Sequence, residues 1–174
     1  KMALPVLINV LEDFNQEPIV RHEAAEAIGA LGLPETTQIL RKYQDDKAVE
    51  VQETCQIALA RLDYYSSSNS ENSGGDQIIS PFASVDPAPP LNNLSIEQLK
   101  NILLDSNVSL FDRYRAMFSL RNSGSNESIL ALCEALKHGS ALFKHEVAFV
   151  LGQLQDEVSV PFLIETLKDC NENE

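Results

Sequence analysis

Apolar residues recur along this chain at the spacing of one helix face, and polar residues fill the positions between them. Val20, Ala24, Ala27, Ile28 and Leu31 show the pattern, three or four residues apart, as an amphipathic helix requires. The same reading predicts helices over residues 3–13, 19–31, 34–43 and 48–63, and a second set over 95–105, 109–122, 126–138, 140–155 and 159–168. Several ends carry their own signals. Pro34 and Pro161 fall in first turns, where a missing N–H costs nothing. Ser95 and Gln98 have the spacing of a capping box, and Gly32 suits a helix C-terminus.

The pattern repeats. A step of 31 residues carries Val20 onto Val51, Ala24 onto Cys55, Ala27 onto Ala58, Ile28 onto Leu59 and Leu31 onto Leu62. The same step carries Tyr114-Arg115-Ala116-Met117 onto His145-Glu146-Val147-Ala148. A period near 30 with small residues at helical contacts predicts an all-α fold, an α-hairpin (HEAT-like) repeat solenoid. Between the two helical sets lie SSSNSENSGG over 66–75 and the four-proline run over 81–91. The first is too polar to bury a core, and the second should be extended and stiff. The expected organisation is therefore two halves joined by a flexible linker: repeats over 1–63, a linker over 64–94, and repeats over 95–174.

A further match concerns the two ends. Leu4-Pro5-Val6-Leu7-Ile8 resembles Val160-Pro161-Phe162-Leu163-Ile164. Seventeen residues after Pro5 stands His22, whereas the same step from Pro161 points beyond Glu174. Lys1 opens directly on the first helix of a repeat. The expectation is a fragment lacking a repeat at each end.

Composition narrows the classes. The net charge is −13, which disfavours a nucleic-acid partner, whose phosphates need Lys and Arg, and would suit a cationic one. No run approaches the length of a membrane span, so no membrane partner is expected. The three cysteines, Cys55, Cys133 and Cys170, lack zinc-type or thioredoxin-type spacing. Cys55 and Cys133 fall on apolar helix positions and read as buried thiols of a reducing, cytoplasmic compartment.

Two of the three histidines share one setting. Arg21-His22-Glu23 and Lys144-His145-Glu146 each place a base before and a carboxylate after the imidazole, ahead of an apolar ladder ending in Gly-x-Leu. Imidazole beside carboxylate suits iron or zinc, and Fe(II) in particular where positions stay open for oxygen. Adjacent residues point about 100° apart on a helix, so the site would need donors converging from neighbouring repeats. The candidate metal ligands are His22, Glu23, His145 and Glu146. A metalloprotease motif is excluded, because Glu26 and Phe149 stand where the second His would be. His138 reads as a helix-end residue complementing the dipole, without a ligand role.

VRHEAAEAIGALG, FDRYRAMFSLRN, GSALFKHEVAFVLGQLQ and SVDPAPP together resemble deoxyhypusine hydroxylase, the HEAT-repeat di-iron monooxygenase family of eukaryotes. The resemblance covers almost the whole chain apart from the Ser/Asn-rich stretch. It implies two Fe(2+) per complete protein, O2 as co-substrate, and a deoxyhypusine-containing translation initiation factor 5A as partner, hydroxylated to form hypusine. It implies that His22 and Glu23 ligate one iron and that His145 ligates the other. Glu146 would either ligate or face the cationic substrate amine. The isolated chain, with only part of each iron's shell, would be inactive. Two other classes share the repeat: a non-enzymatic HEAT scaffold binding a protein partner, and a HEAT-like bilin lyase.

Overall fold

A computed structural model describes residues 2–68 and 80–169. Among these residues the secondary structure is entirely helical. The elements are α1 (Leu4–Glu12), α2 (Pro18–Leu31), α3 (Thr37–Tyr43), α4 (Val49–Ser68), α5 (Ile96–Leu104), α6 (Leu110–Ser123), α7 (Asn126–Ala135), α8 (Ala141–Leu154) and α9 (Val160–Lys168). The residues fall into two compact units, one built on α1–α4 and the other on α5–α9. None of the described helices is long and apolar enough to cross a membrane.

Local chemistry sets most of the boundaries. Ser95 accepts from the Gln98 N–H at 3.2 Å while the Gln98 side chain accepts from the Ser95 N–H at 2.9 Å, so two orphan donors are satisfied reciprocally. Gly32, at φ +62°, closes α2 in the left-handed conformation that a Cβ disfavours. Residues 34–43 form two pieces, a 3-10 turn over Pro34–Thr36 followed by α3. The helix predicted over 126–138 stops at Ala135, and exposed His138 lies in the following turn with its N–H on the Ala135 carbonyl at 3.0 Å. It is therefore past the helix end, three residues from the position expected.

In the first unit α2 packs between α1 and α4. Leu11, Ala24, Ala25, Ile28, Leu40, Val51, Cys55 and Ala58 form its core. The helices approach closely because their facing residues are small. A Cβ built on Gly29 would stand 2.7 Å from that of Ala58, nearer than two methyls can sit. Arg21 locks the repeat from inside, donating from Nε to the Leu11 carbonyl at 2.9 Å and pairing with Asp46 at 2.6 Å. The second unit repeats the device: Arg113, also ten residues after its acceptor, donates from Nε to the Leu103 carbonyl at 2.9 Å. Its guanidinium lies 4.0 Å from the Phe143 ring centre.

The linker boundaries shift at both ends. α4 continues to Ser68, five residues beyond the predicted repeat, because Tyr64-Tyr65 and the serines contain no breaker. On the other side, Ser80, Phe82 and the run from Ala88 to Leu91 belong to the second unit. Arg115 donates to the Pro89 carbonyl, Ser119 Oγ accepts from the Leu91 N–H at 2.7 Å, and Arg121 donates to Ser80 Oγ at 3.0 Å while stacking on Phe82. Residues 88–91 thus form a strap against α6. Most of residues 66–75, Cys170 and the closing 171–174 lie outside the described residues.

Candidate metal centre

The two His-Glu pairs occupy the same place in α2 and α8, the fifth and sixth residues of each helix. On α2 the imidazole is turned toward α4. His22 is 2% exposed, and its Nδ1 lies 2.7 Å from Thr54 Oγ1. Thr54 in turn donates its hydroxyl to the Glu50 carbonyl one turn earlier on α4, at 2.8 Å. The other ring nitrogen, Nε2, faces Glu23 Oε1 at 3.7 Å. That separation exceeds a hydrogen bond and leaves a nitrogen and an oxygen donor side by side. Glu23 is 65% exposed at the side chain, so the pair lies at the edge of the core, with its base anchored and its acid in solvent.

One turn further on stands Glu26, half-buried. Burial first, and the Glu23 charge second, push its carboxyl above the ordinary value. This stretch of α2 therefore collects negative charge in a partly desolvated place, where a cation gains most.

On α8 the two roles are exchanged. Glu146 is buried at 6% exposed, while His145 is exposed. A 100° step between neighbours means that a helix with one covered flank buries one member of the pair. α2 has α1 and α4 against it, whereas α8 packs on α6 and α7. The neighbouring helices, not the dipeptide, decide which residue turns inward.

Among the described residues no three His, Cys, Asp or Glu side chains come together where a metal ion could be held. One 31-residue step from His22-Glu23 lies Glu53-Thr54, and Thr54 contacts the imidazole as a hydrogen-bond partner. Sequence reasoning missed Thr54, although the repeat offset points straight to it. The His22–Glu23 donors fit iron(II) as part of a ligand set: neutral imidazole and carboxylate are its usual protein donors, and the imidazole is immobilised. The second pair offers a carboxylate held in the core and an imidazole at the surface.

The sequence matches a model of HEAT repeats over residues 1–60 and a model of the PBS lyase HEAT-like repeat over 112–138 and 143–169. Paired helices locked by an inward arginine, repeated in both units, make this a HEAT-repeat protein. Within that class it belongs with the deoxyhypusine hydroxylases. It is 52% identical over 171 residues to the deoxyhypusine hydroxylase of Homo sapiens, across 98% of this chain and 55% of the relative. It is 56% identical over 173 residues to that of Drosophila melanogaster, across 99% of this chain and 56% of the relative. A solved structure of human deoxyhypusine hydroxylase in complex with glycerol superposes with a TM-score of 0.92 at 51% identity, over 99% of this chain and 58% of that one. The chain thus spans a little over half the length of these relatives.

Proposed function

We propose that this chain serves in an iron-dependent monooxygenase that hydroxylates the deoxyhypusine side chain of translation initiation factor 5A, with O2 as co-substrate. In this reading His22 and Glu23 hold one of two Fe(2+) ions and His145 holds the other. Glu146 either completes the second set or meets the substrate amine. The observation that carries the proposal is the His22–Glu23 geometry: a buried, anchored imidazole presenting Nε2 beside a carboxylate oxygen at 3.7 Å. The relatives, which bear the name deoxyhypusine hydroxylase, supply the reaction.

Bound iron would supply the electrons that oxygen activation at an unactivated C–H bond demands and that side chains lack. The protein's own contribution is positional and electrostatic. Thr54 and the packed face of α4 hold the His22 ring in place, so metal capture need not order it. Glu23 and Glu26 lay negative charge along the same stretch of α2, suited to a polyamine-like cation. The buried thiols of Cys55 and Cys133 fit a reducing, cytoplasmic setting.

Iron analysis tests this reading. After anaerobic loading with Fe(II) and desalting, the wild-type chain should retain iron, and His22→Ala and His145→Ala should each lose the share held at its own site while keeping their helical circular dichroism. Iron retained equally by wild type and both variants would overturn the ligand assignment. In the complete protein, Glu146→Lys should abolish turnover, and wild-type activity would remove Glu146 from the site.

A further inference from the structure

We propose that Thr54 is a positioning residue that fixes the tautomer of His22 and so decides which ring nitrogen is offered to a cation. The argument is a count of protons. A threonine hydroxyl has one hydrogen and two lone pairs. The Thr54 hydrogen is directed to the Glu50 carbonyl, 2.8 Å away on its own helix. This is the i−4 back-bond that threonine makes inside helices. Only lone pairs of Oγ1 then remain to meet His22 Nδ1 at 2.7 Å, so Nδ1 must carry the ring proton and donate. In the neutral ring the lone pair is left on Nε2, the nitrogen that faces Glu23 Oε1 at 3.7 Å. Nitrogen and oxygen donors then stand side by side, which is how a cation is held.

The relay is well insulated. Thr54 is 5% exposed and His22 2%, so water does not compete freely for either end. The backbone carbonyl that terminates it belongs to α4 and cannot change its role as acceptor. Ligating imidazoles ordinarily donate their remote N–H to a carboxylate or carbonyl. Here a hydroxyl in the next repeat does the same work and passes the polarity on to a carbonyl. The two repeats are therefore joined through the site and through packing alike. Valine in place of Thr54 keeps the shape and removes both halves of the relay, and serine keeps the hydroxyl.

The inference rests on the proposed metal role of His22, but its first test is independent of metal. Nitrogen-15 NMR of the metal-free chain, at a pH where the imidazole is neutral, reports the tautomer directly. His22 should be the Nδ1–H form in wild type and Thr54→Ser, and a mixture or the Nε2–H form in Thr54→Val. Thr54→Ala serves the same purpose should the valine variant fail to fold. A wild-type ring in the Nε2–H form, or a valine variant still wholly Nδ1–H, would overturn the proposal. Anaerobic titration with Fe(II) gives the second readout. The dissociation constant should weaken about 10–100-fold in Thr54→Val, the range found when the partner of a ligating histidine is removed, with serine restoring it. A tautomer lost in the valine variant while Fe(II) affinity stays unchanged would also overturn it. Should the wild-type chain bind no Fe(II) while the tautomer still depends on Thr54, the positioning role stands and the iron assignment fails.

Discussion

Gly29 and Gly152 occupy equivalent places in the Gly-x-Leu endings of α2 and α8, yet the same substitution should act on them in opposite directions. Replacing a helix-interior glycine by alanine stabilises by about 0.5–1 kcal/mol where the methyl finds space. At Gly152 nothing lies within 4 Å of the added carbon, so Gly152→Ala should gain that full amount. At Gly29 the methyl would meet the Ala58 Cβ at 2.7 Å and its Cα at 3.4 Å. Both atoms belong to a rigid helix and a side chain with no rotamer to yield, so α2 and α4 must separate. Overpacking of that kind costs about 1–3 kcal/mol, leaving Gly29→Ala destabilised by up to about 2.5 kcal/mol once the helix gain is subtracted. Adding Ala58→Gly should relieve the contact and recover most of the loss. Urea unfolding followed by far-UV circular dichroism reads all four proteins. Because the same separation would stretch the 2.7 Å contact from His22 to Thr54, Gly29→Ala should also disturb the His22 ring resonances, which Gly152→Ala leaves alone. Equal stabilisation by the two alanines would refute the close approach.

Asp46 gives a pH dependence. Burial alone pushes its carboxyl up, but the hydrogen bonds from Arg21 and the Ala48 N–H outweigh it and hold the group below its ordinary value of 3.8. A depressed carboxyl contributes stability above the unfolded pKa and loses it as pH falls through the folded one, so the first unit should weaken below about pH 4. Asp46→Asn should cost about 1.5–3 kcal/mol by removing the charged acceptor of Arg21; an unchanged urea midpoint would contradict the pair's importance. Ser95→Ala removes one side of the capping box and should cost about 1 kcal/mol, with no loss at all counting against that cap. Ser119→Ala deprives the Leu91 N–H of its acceptor, and hydrogen exchange at Leu91 should quicken; unaltered protection would mean that the strap is held elsewhere.

Much of the fold was legible because its determinants are local. Apolar spacing and the serine, proline and glycine signals at helix ends act over a few residues, and α2, α6 and α8 begin and end within a residue or so of their predicted limits. Tertiary partners govern what was missed. The proline-rich run could be read as extended, but its attachment depends on Arg115, Ser119 and Arg121, more than twenty residues away. α4 runs past Asp63 since nothing in its sequence stops it. At the site, the residue pairs were visible as a doubled dipeptide. Which member faces inward was not, since that follows from the helices packed alongside, and a hydroxyl on a neighbouring repeat has no motif to announce it.

The buried cysteines carry a consequence of another kind. Burial pushes the Cys55 thiol up to about 12 and the Cys133 thiol up to about 11, so at neutral pH fewer than about one molecule in a thousand holds either as the reactive thiolate. An alkylating reagent must wait for the surrounding helices to part. Cys55 sits in the α1–α4 unit and Cys133 in the α5–α9 unit, which furnishes the chain with one built-in clock for the opening of each. Mass spectrometry of the modified peptides would time the two openings separately, in one sample, and show whether metal loading slows one unit or both.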